Sequence, residues 1–244
     1  MSKPIGFLAE RRLMWQAFRK DFFHTGSVIP SSRYLGRELA ASLRGNRRPA
    51  RILEIGAGTG PVTAQILPYL IEGDHLDVVE INSDFIPVLQ KRFSQAISPP
   101  NHGGDGRGSG VEATLPQAPQ QPIQPWTMRL LHAPVQQVPG EGVYQHLISG
   151  LPFNNFPIKL VREIWDSIHR LAAPGATFSF FEYVAVRELK MPFTKGSERK
   201  RLHLVGRHLA REIKRYQTHA RKVFLNVPPA VVHHLQLEPG AKGN

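Results

Sequence analysis

The sequence from Arg51 to Gly60, RILEIGAGTG, constrains the fold of this chain more than any other stretch. Its first five residues form an apolar run that indicates a buried parallel strand, and the residues after the turn, PVTAQIL, are typical of the start of a helix. Between them stand Gly56, Gly58 and Gly60, which lack the Cβ atoms that would keep a ligand away from the backbone. This order indicates a nucleotide-type site, although glycines also occur in plain tight turns.

An acidic residue closes the next apolar run, roughly twenty residues beyond the last glycine of the turn. This run, DVVEIN at residues 77–82, predicts a second parallel strand that ends near Glu80. Open α/β sheets bind ligands at the carboxyl ends of their strands, where an acid can accept hydrogen bonds from ribose hydroxyl groups. Together, the acid and the glycine turn favour a nucleoside-containing ligand.

Apolar runs and helical patterns alternate through the rest of the chain. Further elements are predicted as helices at residues 33–43, 85–93 and 159–171, strands at residues 128–131, 147–149 and 177–183, a turn at residues 173–176, and a closing hairpin at residues 223–232. This alternation predicts an α/β fold: a Rossmann-like, doubly wound, mostly parallel seven-stranded sheet with a carboxyl-terminal antiparallel hairpin.

The net charge of +12 over 244 residues indicates an anionic partner, either nucleic acid or a membrane surface. Residues 7–23 predict an aromatic-rich basic amphipathic helix, and residues 195–222 predict a basic helix with a narrow apolar stripe. Each helix can either pack on the domain or lie on an anionic bilayer, where each Lys or Arg contributes roughly 1 kcal/mol. The stripe consists of Leu202, Val205, Leu209, Ile213 and Tyr216.

The composition excludes some kinds of site and indicates where in the cell the protein is expected. The absence of cysteine excludes disulfides and thiolate sites, and no HExxH spacing occurs among the histidines, so we expect no metal. Without a long apolar run or a signal-peptide core, we expect a cytoplasmic protein, peripheral on the inner face of the membrane.

Residues 98–125, rich in Gly, Pro and Gln, predict a disordered insertion or an active-site lid. We therefore expect an amino-terminal helix and lid segment at residues 1–45 and one main domain at residues 46–244.

Five short motifs carry a resemblance to a known family. LEIGAGTG followed by VVEIN resembles the cofactor site of class I S-adenosylmethionine-dependent methyltransferases, and GLPFNN at residues 150–155 is similar to the NLPF or NPPY-type loop of enzymes that methylate an amino nitrogen. The set VIPSS, EIGAGTGPVT, GLPFNNFP and NVPPA resembles bacterial phospholipid N-methyltransferases, which act on phosphatidylethanolamine, and the related ornithine-lipid N-methyltransferases. The resemblance spans roughly residues 25–237 without the insertion.

The resemblance implies S-adenosylmethionine as the cofactor and assigns residues to it. The three glycines would approach the methionine moiety, Glu54 would hold its ammonium group or order the turn, and Glu80, followed by Ile81, would hold the ribose. His132 stands where many of these enzymes carry an Asp for the adenine amine, so either His132 or backbone would accept that hydrogen bond. Gly150 belongs to the same site and replaces the Asn or Asp of nucleobase enzymes, which counts against a planar base as substrate.

The resemblance also implies an aminolipid substrate in an anionic membrane surface, methylated in successive steps, and no nucleic-acid partner. The substrate ammonium must lose its proton, and burial lowers the pKa of an amine by up to about 3 to 5 units. The Pro152 carbonyl and Asn154 would orient the amine, Phe153 would offer a cation–π surface, and Tyr34 would close the site. As alternatives, Pro152 and Phe153 only shape the loop, and Tyr34 only packs.

Two other functions fit parts of the sequence. An RNA or DNA adenine N6-methyltransferase shares the fold, the Leu-Pro-Phe loop and the basic charge, whereas Gly150 and the lack of a dedicated carboxyl-terminal helical domain count against it. A membrane-surface binding protein with a vestigial site is disfavoured by the intact glycines and Glu80. The lipid methyltransferase accounts for the glycine turn, the acid and the charge together.

Overall fold

The computed structural model of the chain describes residues 33–97, 125–184, 196–226 and 228–238. Helices and strands alternate through most of these ranges. The helices are α1 Arg33–Leu39, α2 Thr63–Ile66, α3 Phe85–Arg92, α4 Ile158–Leu171 and α5 Gly196–Tyr216. The strands are β1 Arg51–Ile55, β2 His75–Glu80, β3 Thr127–His132, β4 Tyr144–Ser149, β5 Ala172–Tyr183, β6 Gln217–Val223 and β7 Ala230–Gln236.

The strands form one seven-stranded sheet in the order β3-β2-β1-β4-β5-β7-β6. Strands β1 to β5 pair in parallel, while β7 pairs antiparallel with both β5 and β6. Strand β6 therefore runs in the direction of β5, and the carboxyl ends of all strands except β7 meet at one edge, here called the carboxyl edge. The predicted mostly parallel sheet with its antiparallel hairpin is confirmed.

Alternating side chains of the strands build a core on each face of the sheet. Leu53 and Ile55 of β1 pack with residues of α4 and α5, on the face here called the α4 face. Ile52 packs with residues of α1, α2 and α3 on the opposite face, here called the α2 face. Two buried faces explain why the parallel strands read as continuous apolar runs instead of alternating patterns.

Helix α1 belongs to the same core as the sheet, although its residues lie in the predicted amino-terminal segment. Leu35 and Leu39 are fully buried against the α2 face. Glu38 Oε1 lies 3.3 Å from His234 Nε2, and His234 Nδ1 lies 2.9 Å from the Ser179 hydroxyl. Burial lowers the pKa of His234, and the neighbouring His219 adds to this. This chain of polar contacts fastens α1 to β7 and β5.

Two elements depart from the sequence expectation. The basic helix ends at Tyr216 instead of residue 222, because residues 217–223 pair with β7 as strand β6. Strand β5 begins at Ala172, so the turn expected at residues 173–176 lies inside it as an irregularity in its pairing with β4. The apolar stripe of the helix is confirmed, since Leu202, Val205 and Leu209 are buried.

Two of the sequence predictions fall outside the described residues, namely the helix at residues 7–23 and all but the last residue of the insertion at residues 98–125. Within the described ranges, no helix combines the length and apolar character needed to cross a bilayer.

Candidate active site

A cleft opens at the carboxyl edge, on the α4 face, where the ends of β1, β2 and β4 meet. About 340 Å³ of empty space, which includes open solvent at the mouth of the cleft, lies among its lining residues. Its lining comes from the ends of β1 and β2, the segment after β3, the segment after β4, and α4. These residues include Ile55, Gly56, Glu80, Ile81, Ala133, Pro134, Gln136, Leu151, Leu160 and Ile164.

The glycine turn lines the cleft through Gly56 and is tied to β2. Gly58 adopts a φ of 58°, in the left-handed region, and a Cβ there would meet no atom within 4 Å. Its N–H donates a hydrogen bond of 2.7 Å to Glu80 Oε2. Position 58 therefore needs glycine for its backbone conformation and leaves open space beside its backbone, whereas the place of a Cβ at Gly56 is taken by Leu151 and at Gly60 by Phe93.

Glu80 connects the glycine turn to the end of β2. Its second carboxylate oxygen accepts a 2.7 Å hydrogen bond from the backbone N–H of Asn82, and its side chain is nearly fully buried. Burial raises the pKa of Glu80, and the backbone N–H groups and nearby His132 oppose that rise. Each carboxylate oxygen has a second lone pair, so Glu80 keeps capacity for hydroxyl donors at the cleft.

Glu54 lies beneath the glycine turn with 0% of its surface exposed. Neither carboxyl oxygen has a hydrogen-bond partner among the described residues. Burial raises its pKa to about 7, although Thr63, whose hydroxyl and backbone face the carboxyl group without reaching hydrogen-bond geometry, lowers it in part. A buried carboxyl group without a described partner at this position is suited to pair with a cationic group of a ligand.

Gly150 marks the point where the end of β4 touches the glycine turn. Its N–H donates to the Ile55 carbonyl at 2.9 Å, and a Cβ at this position would lie 2.7 Å from the Gly56 carbonyl oxygen. That separation is too short for any side chain. The Asn or Asp expected here in nucleobase enzymes does not fit this backbone.

The segment after β3 lines the cleft mainly through residues other than His132. Ala133 and Pro134 are in the lining, whereas His132 is exposed beside it, with Nε2 at 3.2 Å from the Ile81 carbonyl. A carbonyl only accepts, so Nε2 carries the hydrogen and Nδ1 of the neutral ring is an acceptor. Gln136, which the sequence patterns do not single out, lines the cleft, and its buried amide nitrogen has no partner among the described residues.

The loop after β4 brings the predicted substrate residues beside the cleft. Phe153 is 1% exposed, with ring centroids 6.0 Å from Trp165 and 5.7 Å from Phe180, so a substrate ammonium would meet its ring only after that side chain turned outward. The Pro152 carbonyl accepts the N–H of Asn155 at 2.9 Å, which gives it a role in closing the loop.

Asn154 has one buried acceptor atom without a described partner. Its Nδ2 donates to Glu182 Oε1 at 3.2 Å, while its buried Oδ1 has no partner among the described residues. Arg201 of α5 donates to the carbonyl groups of Asn154 and Phe156 at 2.9 and 3.2 Å, and so holds the loop in place. Neither Glu182 nor Arg201 carries a motif that sequence reasoning could have recognised.

Tyr34 lies on α1, on the α2 side of the sheet, and is 37% exposed. Its hydroxyl accepts a hydrogen bond from Arg33 at 2.9 Å. The structure thus brings Glu80, Ile81, Gly150 and the glycine turn together, places Asn154 next to them, and shows no hydrogen bond from Tyr34 to the described part of that site.

Comparison with known proteins gives similar relatives at low identity. No protein-family model matches the chain. It is 28% identical over 166 residues to an ornithine lipid N-methyltransferase from Singulisphaera acidiphila, covering 66% of this chain and 74% of the relative. It is 46% identical over 88 residues to ribosomal RNA small subunit methyltransferase A of Pseudomonas fluorescens, but this match covers only 36% of this chain and 28% of that protein.

Among solved structures, the chain is similar to the Burkholderia thailandensis 1,6-didemethyltoxoflavin-N1-methyltransferase, solved with bound 1,6-didemethyltoxoflavin and S-adenosylhomocysteine. The TM-score is 0.55 at 15% identity, covering 98% of this chain and 93% of that one. This likeness concerns the fold and agrees with the strand order described above. The chain therefore has the Rossmann-like fold of class I S-adenosylmethionine-dependent methyltransferases.

Proposed function

We propose that this chain is an S-adenosylmethionine-dependent N-methyltransferase that methylates the amine of an aminolipid headgroup at an anionic membrane surface. The observation that carries the proposal is a cleft lined by the ends of β1 and β2 and by Leu151, at the start of the loop whose buried Asn154 Oδ1 has no partner among the described residues. The ornithine lipid N-methyltransferase from Singulisphaera acidiphila supports the lipid part, and the S-adenosylhomocysteine bound to the Burkholderia thailandensis neighbour supports the cofactor.

The cleft residues fit the groups of S-adenosylmethionine. Glu80 would hold the ribose hydroxyls, the open backbone at Gly58 would border the methionine moiety, and Glu54 would balance its ammonium group from below. Either His132 Nδ1 or the backbone of the segment after β3 would accept the hydrogen bond of the adenine amine. Gln136, whose buried amide nitrogen needs an acceptor, would donate to a ring nitrogen or a hydroxyl group.

The cofactor supplies an electrophilic methyl group, so the protein must align an amine lone pair behind it. Proximity and orientation can contribute roughly 7 to 11 kcal/mol to such a step. Asn154 Oδ1 would accept one N–H of the substrate amine, and Arg201 would keep the loop rigid while it does so. Phe153 keeps its proposed cation–π role only in a conformation in which its ring leaves the core.

The tip of the β6–β7 hairpin supports a membrane-surface role. Phe224 and Leu225 are 70% and 67% exposed directly after β6, at the carboxyl edge, where β6 lies three strands from β4. The Pro229 carbonyl accepts the N–H of Val184 at 2.7 Å, which joins this tip to the end of β5. Fully burying a Phe or Leu side chain contributes about 1.5 to 3 kcal/mol, so two such residues would anchor the edge in a bilayer.

Cations accompany this apolar tip. Lys222 precedes it on β6, and Arg199 and Lys200 lie in the first turns of α5, close to Arg201 and the substrate loop. Helix α5 has 21 residues and extends about 30 Å at 1.5 Å per residue, so its last turn is far from the edge. The proposed bilayer contact therefore involves the tip and the start of α5, not the whole basic helix.

Expression in a bacterial host that lacks methylated lipids tests the function. With labelled methionine in the medium, chromatography of the lipid extract should show new methylated derivatives of phosphatidylethanolamine or of ornithine lipid, which also identifies the headgroup and the number of methyl groups. Glu80→Ala should abolish the products, because it removes the proposed ribose contact. Labelling of neither lipid by a folded, cofactor-binding wild-type protein would refute the lipid function.

Vesicle flotation tests the membrane contact. Replacing Phe224 and Leu225 together with Ser should weaken binding to phosphatidylglycerol-containing vesicles at least tenfold, while the melting temperature stays within a few degrees because both side chains are exposed. Lys200→Gln should weaken binding, and the matched control Lys214→Gln, from the last turn of α5, should not. Equal vesicle binding by the double variant and wild type would contradict the proposed anchor.

A ribosomal RNA adenine methyltransferase is the second candidate, because the match to the Pseudomonas fluorescens protein has the higher local identity. That match spans only a minor part of the relative, and the contact of Gly150 with Gly56 leaves no room for the Asn or Asp of nucleobase enzymes. Salt-sensitive RNA binding without vesicle affinity would favour this candidate.

A further inference from the structure

A polar cluster lies on the far side of Asn154 from the cofactor cleft. It consists of Glu182 on β5, His233 on β7 and Gln217 on β6. Glu182 Oε1 accepts from Asn154 Nδ2 at 3.2 Å, and Glu182 Oε2 lies 3.4 Å from His233 Nε2. His233 Nδ1 in turn lies 2.6 Å from Gln217 Oε1.

The sheet order explains why this cluster lies beside the loop after β4. Glu182 follows the parity of Phe178 and Phe180, which pack on the α4 face, the same face that carries the cleft. Strand β5 is next to β4, so Glu182 and the loop after β4 share the carboxyl edge. Three strand spacings separate β5 from Glu80 on β2, roughly 14 Å at 4.7–4.9 Å each, which leaves room for a cofactor between the two acids.

The hydrogen bonds of the cluster have a defined direction. A carboxylate only accepts, so the amide of Asn154 must turn its Nδ2 toward Glu182, and this leaves Oδ1 free for the substrate. The Glu182 side chain is 23% exposed, and its remaining lone pairs can receive another donor. The carboxylate and the free amide oxygen thus form a pair of acceptors suited to an ammonium group.

His233 completes the cluster as a proton acceptor. With Gln217 Oε1 accepting the hydrogen on Nδ1, the neutral form of the ring directs its Nε2 lone pair toward Glu182 Oε2. Two acceptors then face each other, and a single proton between them would join them. The ring also stacks on Phe180 with centroids 5.1 Å apart, which fixes its orientation.

We infer that Glu182 binds the ammonium group of the substrate and, with His233, takes up the proton that this group must lose before methyl transfer. This inference deepens the proposed function and rests on it. One proton leaves the ammonium nitrogen for the space between Glu182 and His233. The freed nitrogen lone pair forms a bond to the methyl carbon of the cofactor as the carbon–sulfur bond breaks and its electron pair stays on sulfur.

The product nitrogen carries one more methyl group and again one positive charge, and the proton on the Glu182–His233 pair passes to solvent. The other charged groups near the loop are already engaged, since Arg201 pairs with Glu198 and binds the loop carbonyls. Tyr183 points to the opposite face of the sheet, where it packs near Phe181. Among the described residues around Asn154, Glu182 is therefore the carboxylate available to the substrate.

Steady-state kinetics with vesicles tests the inference. Formation of S-adenosylhomocysteine is measured with vesicles of phosphatidylethanolamine and phosphatidylglycerol, and with vesicles of ornithine lipid and phosphatidylglycerol. Glu182→Gln should lower kcat/KM about 100-fold at pH 7, because it removes both the charge and the proton acceptor. The deficit should shrink toward pH 9.5, since the substrate ammonium then loses its proton to solvent.

Companion variants separate this role from a structural one. Glu182→Asp should recover part of the activity, and His233→Phe, which keeps the ring stack, should lower kcat about tenfold with a small change in KM. The affinity of Glu182→Gln for S-adenosylmethionine in calorimetry should equal that of wild type. Glu141→Gln, an exposed acid just before β4 at the opposite edge, is the matched control and should be fully active.

The outcomes distinguish the inference from the function on which it rests. Wild-type protein that methylates neither lipid overturns both. Active wild-type protein together with a Glu182→Gln variant whose kcat/KM is within threefold of wild type, with the same pH profile, overturns the inference alone. If Glu182→Gln fails to fold, Glu182→Asp is measured in its place. Its kcat/KM must then fall and its pH profile must change if the inference is right.

Discussion

The buried carboxyl group of Glu54 makes the sharpest prediction about the cofactor site. Burial without a hydrogen-bond partner raises its pKa from 4.5 to about 7. This difference corresponds to roughly 3 kcal/mol, at about 1.4 kcal/mol for each pH unit between the two values. Between pH 4.5 and about 7, the native protein therefore holds a proton on Glu54 that the unfolded chain has already released.

Thermodynamic linkage between folding and the protonation of Glu54 makes the stability of the protein depend on pH. Because the native pKa is the higher one, the stability associated with protonated Glu54 is fully present below pH 4.5 and is lost as the pH rises through about 7. Glu54→Gln keeps the shape of the protonated acid but never ionises. We expect this variant to match wild type near pH 4.5 and to exceed it by up to about 3 kcal/mol at pH 8.

Cofactor binding should reverse the preference of buried Glu54 for its protonated form. A ligand cation near Glu54 favours the ionised form, so binding at pH 6, where nine-tenths of a group with a pKa of about 7 is protonated, should release close to one proton. The Kd for S-adenosylmethionine should then tighten about tenfold between pH 6 and pH 8. In Glu54→Gln the affinity should be weaker and independent of pH in this range.

Urea unfolding at pH 5 and pH 8 measures the first effect, and calorimetry in two buffers of different ionisation enthalpy measures the second. The wild-type protein is the reference in both. If the two proteins show the same pH dependence of stability and no proton is released on binding, then Glu54 neither titrates near neutral pH nor senses the cofactor, and the assignment is refuted.

Two further variants test other parts of the structure. Gly58→Ala places a Cβ in open space but in a left-handed backbone, so stability should fall by about 1 to 2 kcal/mol and cofactor binding should weaken; unchanged cofactor affinity in calorimetry would show that the turn does not border the ligand. Burial holds the pKa of His146 at about 4, below its usual 6.5, so its contribution to stability is present above pH 6.5 and is lost as the pH falls toward 4. His146→Gln should remove this loss, so the unfolding free energy of the variant should fall by roughly 3 kcal/mol less than that of wild type over this range. Identical urea-unfolding profiles for the two proteins would contradict the shifted pKa.

Local sequence determined the elements that contain the cofactor site. The strand, glycine turn and helix around Gly58 and the strand that ends at Glu80 follow from apolar periodicity and glycine spacing, which are properties of a short stretch of chain. The apolar stripe on α5 was predictable for the same reason. The loop after β4 was recognisable because its residues are contiguous.

Only the tertiary structure decided which distant residues meet. The change from helix to strand after Tyr216 depends on pairing with β7, since the sequence QTHARKV shows no clear strand pattern of its own. Glu182 and His233 lie on different strands, and their contact with Asn154 results from the order of β4, β5 and β7 in the sheet. Strand order is set by long-range packing and pairing, which no local pattern contains, so the candidate proton acceptor beside the recognised loop emerged from the folded sheet alone.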